Sequence, residues 1–503
     1  MSLQPLPGTP TEPITLEAAP GGAVTNRLST PAAAVGTEVV DALRAACAEV
    51  EATDARGLAE AGRDWWPLAM QWALEGQVPG LPSVIARPSS ATEVAAVLRV
   101  CSDAVVPVTA AGGRSGVCGA SVPVHGGVVL DLTAMSGIVS VDDASLTATV
   151  LPGTFGDALE DRLRADHGLT LGHWPQSIAL STVGGWLACR SAGQLSTRYG
   201  KIEDMVVGME VALADGSVIR TGGAPRAAVG PDLNQLFVGS EGTLGIVTEA
   251  TLRCHPVPPA TVQGAWGFAS FTEGLEACRR ILRRGATPAV LRLYDATESH
   301  RSYETGERHV LLVLDEGDAH VTGATMAVVD EECAGVERLD DGLVDRWMSH
   351  RNDVSALEGL TRKGFVVDTM EIAAPWGALG EIYEATTAAI LAVDGAMVAS
   401  AHQSHSYIDG ACLYFTFAGR PETDDRERFY VEAWDAGTRA VLATGGALSH
   451  HHGVGLNRSR FVAEALGGGL DVLIALKGAL DPAGVLNPGK LGLPSPFGEV
   501  AWP

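Results

Sequence analysis

The 503-residue sequence predicts an α+β fold, in which a two-part ligand-binding domain is followed by a second domain with an antiparallel sheet flanked by helices. Three glycine-rich loops, at 107–121, 174–200 and 239–249, lie between β-branched runs. From roughly 260 to 440, helix-like and strand-like segments alternate without such loops. Because a chain of this length is too long for one hydrophobic core, we expect two or three domains.

The loop at 174–200, WPQSIALSTVGGWLACRSAGQLSTRYG, is the most informative of the three. Its glycine and alanine residues allow the backbone to approach a flat or anionic ligand closely, and its N–H and hydroxyl groups can hold one. Taken alone, this pattern is equally typical of a tight strand-to-helix turn packed on a core. The loop at 107–121 follows an apolar run, and successive amides in such a loop form a cradle for oxyanions. Together the loops predict a phosphate-bearing ligand.

The charge and cysteine content restrict the class of protein. The formal net charge of −25 argues against sequence-independent binding to nucleic acid or to an anionic membrane surface. The eight cysteines form no CxxC pair, and we interpret them as small buried hydrophobic residues of a reducing compartment. The sequence has no run of 18 apolar residues and no secretory-type N-terminus. We therefore expect a cytoplasmic enzyme with a small-molecule substrate and no membrane-spanning segment.

Composition and periodicity divide the chain into five segments. Residues 1–36 are rich in Pro, Gly, Thr and Ala, which is typical of a mobile arm, whereas 37–61 has the apolar spacing of a helix. The sequence at 206–220 predicts a β-hairpin, because two apolar runs flank an Ala-Asp-Gly turn. The predicted boundaries are 1–36 for the N-terminal arm, 37–80 for an N-terminal helical segment, 81–257 for the ligand-binding domain, 258–445 for the second domain and 446–503 for a C-terminal segment that returns to the ligand-binding domain.

The second domain is predicted from six segments. Helices are expected at 271–285, 320–333 and about 377–392, and strands at 289–295, 309–316 and 411–418. Segments that alternate in this way build a sheet with helices packed on it. The expected role of this domain is to cover the ligand and to form the substrate cavity.

The order and spacing of the three loops resemble the PCMH-type FAD-binding domain of the vanillyl-alcohol-oxidase family, over nearly the whole chain. The resemblance implies FAD as the cofactor and a homodimer as the assembly. Covalent members of the family often use a histidine near the first loop, where this chain has Arg114 and no histidine between 101 and 124. We therefore expect non-covalent FAD, with a tether through Cys118 or Cys189 as the alternative. The residues that match the family's FAD contacts are Thr109, Ala110, Ala111, Gly112, Gly113, Arg114, Ser115, Gln176, Ser177, Ser181, Thr182, Gly184, Gly185, Arg190, Ser191, Ala192, Gly193, Glu241, Gly242, Thr243, Leu244, Gly245, Ile246 and Val247.

Three sites in the second domain are candidates for the chemistry. Tyr414 lies on the strand-like CLYFTF, where alternation places the neighbouring Leu and Phe side chains on the opposite face. His450, His451 and His452 follow a small-residue turn, and Arg292 stands in VLRLYD. Individually, Tyr414 is also consistent with a core tyrosine and Arg292 with a solvated arginine. Neutral imidazoles are good metal ligands, but adjacent residues of a regular strand point to opposite faces, so we predict no metal site.

The motifs around these residues closely resemble those of the alkyl-dihydroxyacetone-phosphate synthase branch of the family. GACLYFTF and GGALSHHHGVG occur together with STVGGW and GSEGTLGIVTEA. In that branch the tyrosine matching Tyr414 is the acid/base, and the histidine run lies beside the flavin. The flavin there forms a covalent adduct, and the net reaction replaces an acyl group by a fatty alcohol. Since the pKa of a free tyrosine is ~10, Tyr414 needs a nearby cation or flavin anion to act as a base, and the histidines or Arg292 are candidates to supply that charge.

One departure argues against a phosphorylated substrate. The synthases have an arginine, taken to hold the substrate phosphate, fourteen residues before the glutamate that matches Glu371; here that position is Leu357. Leucine cannot replace a bidentate phosphate clamp, and Arg351 or Arg362 would compensate only with a rearranged backbone. The D-2-hydroxyacid dehydrogenases share part of the pattern, since this chain has His405 and Asp409-Gly410 at matching positions, but Tyr414 and His451 replace two of their three metal ligands.

The leading prediction is an FAD-dependent oxidoreductase that passes a hydride from a small organic substrate (an alcohol, a hydroxyacid or an amine) to flavin N5. Tyr414 and the run His450–His452 are its predicted acid and base. The alternatives are an alkyl-dihydroxyacetone-phosphate synthase and a D-2-hydroxyacid dehydrogenase. A flavin-bound scaffold without turnover is disfavoured, because the second domain keeps its polar groups.

Overall fold

Contacts of Ile14 and Arg27 attach the described parts of the N-terminal arm to the rest of the chain. The computed structural model describes residues 14–17, 23–354 and 356–502. Half of the arm predicted at 1–36 therefore lies outside the described residues. The side chain of Ile14 is buried against Trp65 and Met70, and Arg27 forms an ion pair with Glu427.

The first part of the ligand-binding domain is a four-stranded sheet with helices on it. Its elements are β1 (Thr25–Asn26), α1 (Thr37–Ala46), β2 (Glu49–Glu51), α2 (Ala55–Ala61), α3 (Pro67–Ala73), β3 (Gln77–Val78), β4 (Val84–Arg87), α4 (Ala91–Ala104), β5 (Val108–Ala111) and β6 (Val128–Asp131). The sheet order is β2-β4-β6-β5, and β4, β6 and β5 are parallel. The helical spacing of 37–61 is interrupted, because α1 ends before Cys47 and Val50 pairs with Ala86 in the sheet. The first glycine loop begins at the carboxyl end of β5.

The second part of this domain is a five-stranded antiparallel sheet. Its elements are β7 (Ile138–Asp142), β8 (Thr147–Val150), α5 (Gly156–His167), β9 (Leu169–Thr170), α6 (Val183–Cys189), α7 (Ser196–Tyr199), α8 (Ile202–Met205), β10 (Val206–Ala212), β11 (Val218–Gly222), α9 (Asn234–Phe237), β12 (Ile246–Arg253) and β13 (His255–Pro256). The sheet order is β11-β10-β12-β8-β7. The predicted hairpin is β10–β11, and Gly216 supplies the positive φ (78°) that its turn requires.

The second domain is a seven-stranded antiparallel sheet flanked by helices, as predicted. Its elements are β14 (Ala260–Phe268), α10 (Phe271–Arg283), β15 (Val290–Tyr294), α11 (Ala296–Tyr303), β16 (His309–Gly317), α12 (Ala319–Glu332), β17 (Glu337–Leu339), α13 (Gly342–His350), α14 (Ala356–Arg362), β18 (Val366–Pro375), α15 (Leu379–Leu391), β19 (Ala396–Ser406), β20 (Gly410–Gly419) and α16 (Arg426–Ala443). The sheet order is β17-β14-β16-β15-β19-β20-β18. Helices α10, α15 and α16 share one hydrophobic core with this sheet, and part of the opposite face packs with the five-stranded sheet. This opposite face of the sheet, together with the loops beyond it, is called the cap below.

Alternation along β20 decides which of its side chains reach the ligand-binding domain. Leu413, Phe415 and Phe417 are fully buried in the core under the helices. Tyr414 lies between them in sequence and therefore points to the other face of the sheet. This is the alternation that the sequence predicts.

The C-terminal segment packs on the ligand-binding domain. Its helices are α17 (Val462–Leu466) and α18 (Gly469–Leu480). Beyond them, Leu486 forms a parallel bridge with Val108, and the Asn487 side-chain amide donates to the backbone oxygens of Ala120 (3.0 Å) and Glu241 (2.6 Å). In the described ranges, none of the helices combines the length and the hydropathy needed to cross a bilayer.

Candidate active site

A cavity of about 330 Å³ lies between the glycine loops and the cap. Its volume is in the range of small-molecule sites. Cap side chains on its wall include Arg292, Tyr414, His451 and His452. The predicted FAD contacts on its wall are Ala110, Ala111, Gly112, Gly113, Arg114, Ser115, Gln176, Ser177, Ser181, Thr182, Gly184, Gly185, Ser191, Ala192, Glu241, Gly242, Gly245, Ile246 and Val247.

Some predicted residues lie behind this wall. They are Thr109, Arg190, Gly193, Thr243, Leu244 and His450. The guanidinium of Arg190 points away and donates to Gln235 Oε1 at 2.8 Å. The Thr243 hydroxyl donates to the backbone oxygen of Ser240 at 2.7 Å. Gly193 is packed so closely that a Cβ there would lie 2.5 Å from a backbone nitrogen, which indicates a contact between two backbone segments.

The first glycine loop presents backbone donors to the cavity. Within the part of the chain that the structure describes, none of the N–H groups at residues 112–117 donates a hydrogen bond to a backbone oxygen of the protein. Backbone N–H groups away from water almost always pair. A row of unpaired amides on a cavity wall therefore fits a ligand rich in acceptor oxygens, such as a diphosphate.

Tyr414 is stacked in the cap wall. Its ring lies parallel to that of His402, with 4.8 Å between centroids and 17° between planes, and edge-to-face with His452 at 5.6 Å. Its hydroxyl donates to Thr369 Oγ1 at 3.0 Å. Burial, the largest influence, raises the pKa of Tyr414 above its usual value, so the hydroxyl is protonated at neutral pH.

Arg292, His402 and Glu298 form a chain of contacts beside Tyr414. His402 Nδ1 lies 2.8 Å from Glu298 Oε2, and His402 Nε2 lies 2.6 Å from Arg292 Nη2. Because a guanidinium only donates, Nε2 accepts and Nδ1 carries the proton that it donates to the carboxylate. Burial, followed by the charge of Arg292, lowers the pKa of His402 to about 4. The ring is therefore neutral with a fixed tautomer.

A second buried carboxylate, Glu371, holds the histidine turn. Its Oε1 accepts hydrogen bonds from Ser449 Oγ (2.6 Å) and from the backbone N–H groups of His451 (2.9 Å) and His452. Its Oε2 pairs with the fully buried Arg458. Burial by itself would raise the pKa of Glu371, but Arg458 and His452 lower it to about 2. The position of the histidines thus depends on one ionised carboxylate.

Histidines from two segments converge at the back of the cavity. The ring nitrogens of His405, His450 and His451 lie within 4.8 Å of one another, because residues 450–452 form a turn after α16 and not a strand. The strand argument against convergence was therefore wrong in its premise. The Nδ1 atoms of His450 and His451 are 2.9 Å apart, and Lys201 Nζ donates to the backbone oxygen of His450 at 2.6 Å. Burial lowers the pKa of all three rings, so they are neutral.

The prediction that the protein carries no metal has a direct test at this cluster. Lys201 places a positive charge beside the three rings, which disfavours a cation. We expect substoichiometric metal in purified protein by elemental analysis, and unchanged activity after EDTA treatment. A stoichiometric metal ion that EDTA removes together with the activity would contradict the prediction.

Sequence reasoning missed His402 and named His405 only in the comparison with the hydroxyacid dehydrogenases; both line the cavity. They are three residues apart on β19, so regular alternation would place them on opposite faces. A register shift between Ser404 and Ser406, with His405 at φ 51°, turns both rings to the same side. A bulge of this kind has no clear sequence signal, since His405 is not glycine. The sequence analysis used Glu371 only as a reference position for aligning motifs. Its role in holding the histidine turn was missed because its contacts are with residues far away in the sequence.

Two family models match the chain. The FAD binding domain matches residues 82–222, and the C-terminal domain of FAD linked oxidases matches residues 257–491. Fold, cavity and these matches define a flavin-dependent enzyme, and the chain belongs to the FAD-linked oxidoreductase family.

Several known proteins are similar to this chain in sequence or in structure. The FAD-linked oxidoreductase YgcU of Escherichia coli (strain K12), described as uncharacterised, is 33% identical over 406 residues, which cover 77% of this chain and 83% of that protein. An alkyldihydroxyacetonephosphate synthase of Dictyostelium discoideum is 30% identical over 457 residues, covering 83% of this chain and 74% of that protein. A solved alkyldihydroxyacetonephosphate synthase has a TM-score of 0.77 at 26% identity, covering 95% of this chain and 90% of that one.

FAD is the cofactor, and the residues present fit it. The unpaired amides at residues 112–117 suit the diphosphate, and the hydroxyl oxygens of Ser121 and Ser404 are buried on the wall without a hydrogen-bond partner among the described residues. Small residues on the same wall, such as Gly112 and Ala192, leave room for a flat ring. Non-covalent attachment remains a prediction, because Cys118 and Cys189 also line the cavity; release of all flavin on denaturation is the expected result.

Gly113→Ala is expected to lower the FAD content of the purified protein strongly. A Cβ at this position would lie 1.9 Å from the backbone oxygen of Leu180, so the loop must shift and move its row of amides. The ratio of flavin to protein absorbance measures the effect. Gly323→Ala is the matched control, because a Cβ there meets no atom within 4 Å. Full FAD content in Gly113→Ala, or an equal loss in both variants, would contradict the proposed cradle.

Proposed function

We propose that the protein oxidises a small organic substrate, an alcohol, hydroxyacid or amine, by hydride transfer to FAD. The observation that supports this most is that two kinds of group line one cavity. The side chains of Arg292, Tyr414, His451 and His452 share it with the amide row of residues 112–117. FAD, when bound, supplies a two-electron acceptor for a hydride. The cap side chains then have to bind the substrate and manage its proton.

Tyr414 is proposed as the acid/base group beside the substrate oxygen or nitrogen: its hydroxyl donates a hydrogen bond there, and the proton that the substrate loses passes to a neutral histidine of the cap. Its raised pKa keeps the hydroxyl protonated, and turning toward a substrate gives up only its bond to Thr369. His451 and His452 are neutral because burial lowers their pKa values, so each is able to accept a proton. His450 lies behind them and is proposed to position His451, to which it is hydrogen-bonded.

An alkyl-dihydroxyacetone-phosphate synthase activity is the second candidate, since relatives carry that name and the chain has the three adjacent histidines. The arrangement around Leu357 speaks against it. Leu357 packs against an apolar cluster that includes Trp65, and an uncharged leucine cannot clamp a phosphate. Arg362 is at the surface in an ion pair with Glu358, and the Arg351 guanidinium donates to a glutamine of the cavity wall.

Anaerobic stopped-flow absorbance of the flavin band separates the candidates. The holoenzyme is mixed with alcohols, D-2-hydroxyacids and amines, and separately with palmitoyl-dihydroxyacetone phosphate. Bleaching by an unphosphorylated compound, with stoichiometric oxidised product, is the expected result. Bleaching by the phosphorylated ester, reversed anaerobically by a fatty alcohol, would instead establish the synthase. Bleaching by a D-2-hydroxyacid that EDTA abolishes would establish the metal-assisted dehydrogenase.

Assembly and location also remain proposals. The resemblance implies a homodimer, which light scattering of the holoenzyme tests directly; a monomer at micromolar concentration would contradict it. A cytoplasmic location is proposed from the eight cysteines without a CxxC pair, which suit a reducing compartment, and fractionation of the host cell tests it.

A further inference from the structure

Among the described histidines of the cavity wall, His402 is the one with a ring nitrogen hydrogen-bonded to a buried carboxylate. Its Nδ1 donates to Glu298 Oε2 at 2.8 Å, and Glu298 is itself 2% exposed. The other carboxylate oxygen of Glu298 accepts from the hydroxyls of Thr416 (2.8 Å) and Ser400 (3.2 Å). A carboxylate fixed in this way holds the imidazole in one tautomer and stabilises the imidazolium when it forms.

The fold fixes Glu298 from the first turn of α11. Asp295 caps this helix, and its Oδ1 accepts from the backbone N–H of Glu298 at 2.8 Å. Its Oδ2 accepts from the backbone N–H of Ala401 at 2.7 Å. The helix start is thereby tied to β19 one residue before His402, which sets the distance between the carboxylate and the ring.

The guanidinium of Arg292 is hydrogen-bonded to His402 Nε2 but has no carboxylate partner among the described residues. In the described ranges no carboxylate lies within ion-pair distance of Arg292, and its Nε is buried without a hydrogen-bond partner. Its guanidinium lies over the rings of Tyr294 (5.2 Å) and Trp347 (5.7 Å). Trp347 also carries the guanidinium of Arg351 at 5.9 Å. Arg292 lines the cavity and Arg351 donates to Gln194 on its wall; among the described residues neither has a carboxylate within ion-pair distance, and such cations suit an anionic ligand.

We propose that His402, and not His451 or His452, takes the substrate proton at this site, that Glu298 orients it, and that Arg292 releases it when an anionic substrate binds. This inference rests on the proposed oxidation. In the free protein the Arg292 guanidinium is hydrogen-bonded to His402 Nε2, and its positive charge disfavours protonation of the ring. An anion that binds the guanidinium frees Nε2 and neutralises that charge. The substrate O–H bond then breaks, its proton goes to Nε2, and the carbonyl forms as the hydride leaves in the oxidation proposed above. The anion is a carboxylate or a phosphate of the substrate.

The other groups that face His402 do not replace these roles. Tyr414 on β20 and Tyr294 on β15 face the ring, at 4.8 and 5.3 Å between centroids. Arg301 on α11 and His405 on β19 also act on it; the Arg301 guanidinium lies 3.5 Å from Glu298 Oε1 on an exposed side chain, where solvent screens it. Among these groups, only Arg292 combines a fixed charge with a direct bond to Nε2.

Binding-linked proton uptake tests the inference without any redox turnover. Oxalate and inorganic phosphate are titrated into the holoenzyme by calorimetry in two buffers of different ionisation enthalpy; neither probe has a transferable hydride. We expect uptake of about one proton per bound anion at neutral pH, because the pKa of one group rises through the working pH. A response to oxalate alone indicates a carboxylate substrate, and a response to phosphate alone a phosphorylated one; both outcomes support the inference.

Three variants separate the proposed roles of His402, Glu298 and Arg292. His402→Gln is expected to bind the anion without proton uptake, and Glu298→Gln to lose most of the uptake while the amide oxygen still accepts from Nδ1. Arg292→Gln is expected to weaken anion binding at least ~10-fold, and it stays informative if His402→Gln misfolds. His125→Gln is the matched control, since His125 is a buried histidine of the ligand-binding domain outside the cavity.

Two results would overturn the inference: no binding of either anion to the wild type, or unchanged proton uptake in His402→Gln. Its failure is distinguishable from failure of the proposed function. If uptake depends on His402 but no compound bleaches the flavin, only the oxidation proposal falls. If a compound bleaches the flavin and uptake is independent of His402, only this inference falls.

Discussion

Tyr414→Phe is expected to slow flavin reduction by roughly 10²- to 10⁴-fold, the range for removal of a positioned acid or base. The phenylalanine keeps the stack on His402 (4.8 Å between centroids), so that the cavity and FAD binding stay intact. Only the hydroxyl is lost, and with it the donor to the substrate. Single-turnover reduction under anaerobic conditions measures the effect directly, because it separates chemistry from product release.

The control for this variant is Tyr303→Phe. Tyr303 is another buried tyrosine of the second domain, with its ring 5.5 Å from that of Tyr294, and it does not line the cavity. Its reduction rate is expected to stay within about twofold of the wild type, as is usual for residues that do not touch the reacting groups. A Tyr414→Phe variant as fast as Tyr303→Phe would remove Tyr414 from the chemistry and leave the histidines as the only candidates for proton transfer.

The ligand-binding wall was predictable because its signals are local. A glycine loop after a strand needs only neighbouring residues to be recognised, and residues 112–117 are a row of unpaired amides, as such a loop suggests. Tyr414 was predictable for a similar reason, because strand alternation assigns its face. Arg190, by contrast, belongs to a matching motif, yet its side chain points to Gln235, and no local pattern reports the direction of a single long side chain.

The positioning groups were not predictable, because they act across the chain. Glu298 and His402 are 104 residues apart and Glu371 and Arg458 are 87 residues apart. Each carboxylate alone is consistent with a solvated surface residue. Only the packing of α11 on β19, and of the turn after α16 on β18, brings these pairs together. For this site, the sequence predicted many of the residues that line the cavity, and the structure identified the groups that hold them.

Glu371→Gln is expected to cost about 3–5 kcal/mol of stability, the range for leaving one partner of a buried ion pair uncompensated. The amide removes the only carboxylate within ion-pair distance of Arg458 among the described residues, at a site where both side chains are fully buried. It also weakens the bonds to Ser449 and the N–H groups of His451 and His452, so flavin reduction should slow as well. Thermal unfolding of the FAD-saturated protein measures the loss, and Glu464→Gln, which breaks the exposed pair with Arg439, should cost about 1 kcal/mol or less.

The pH dependence of this difference identifies its origin. The folded-state pKa of Glu371 is lowered from 4.5 to about 2, so its ionised form stabilises the fold fully above the unfolded value, and this contribution is lost as the pH falls from 4.5 toward 2. The gap between wild type and Glu371→Gln should therefore narrow over that interval and stay constant at higher pH. A gap that persists unchanged below pH 4.5 would show that the amide disturbs packing and that the charge on Glu371 is not what holds the histidine turn.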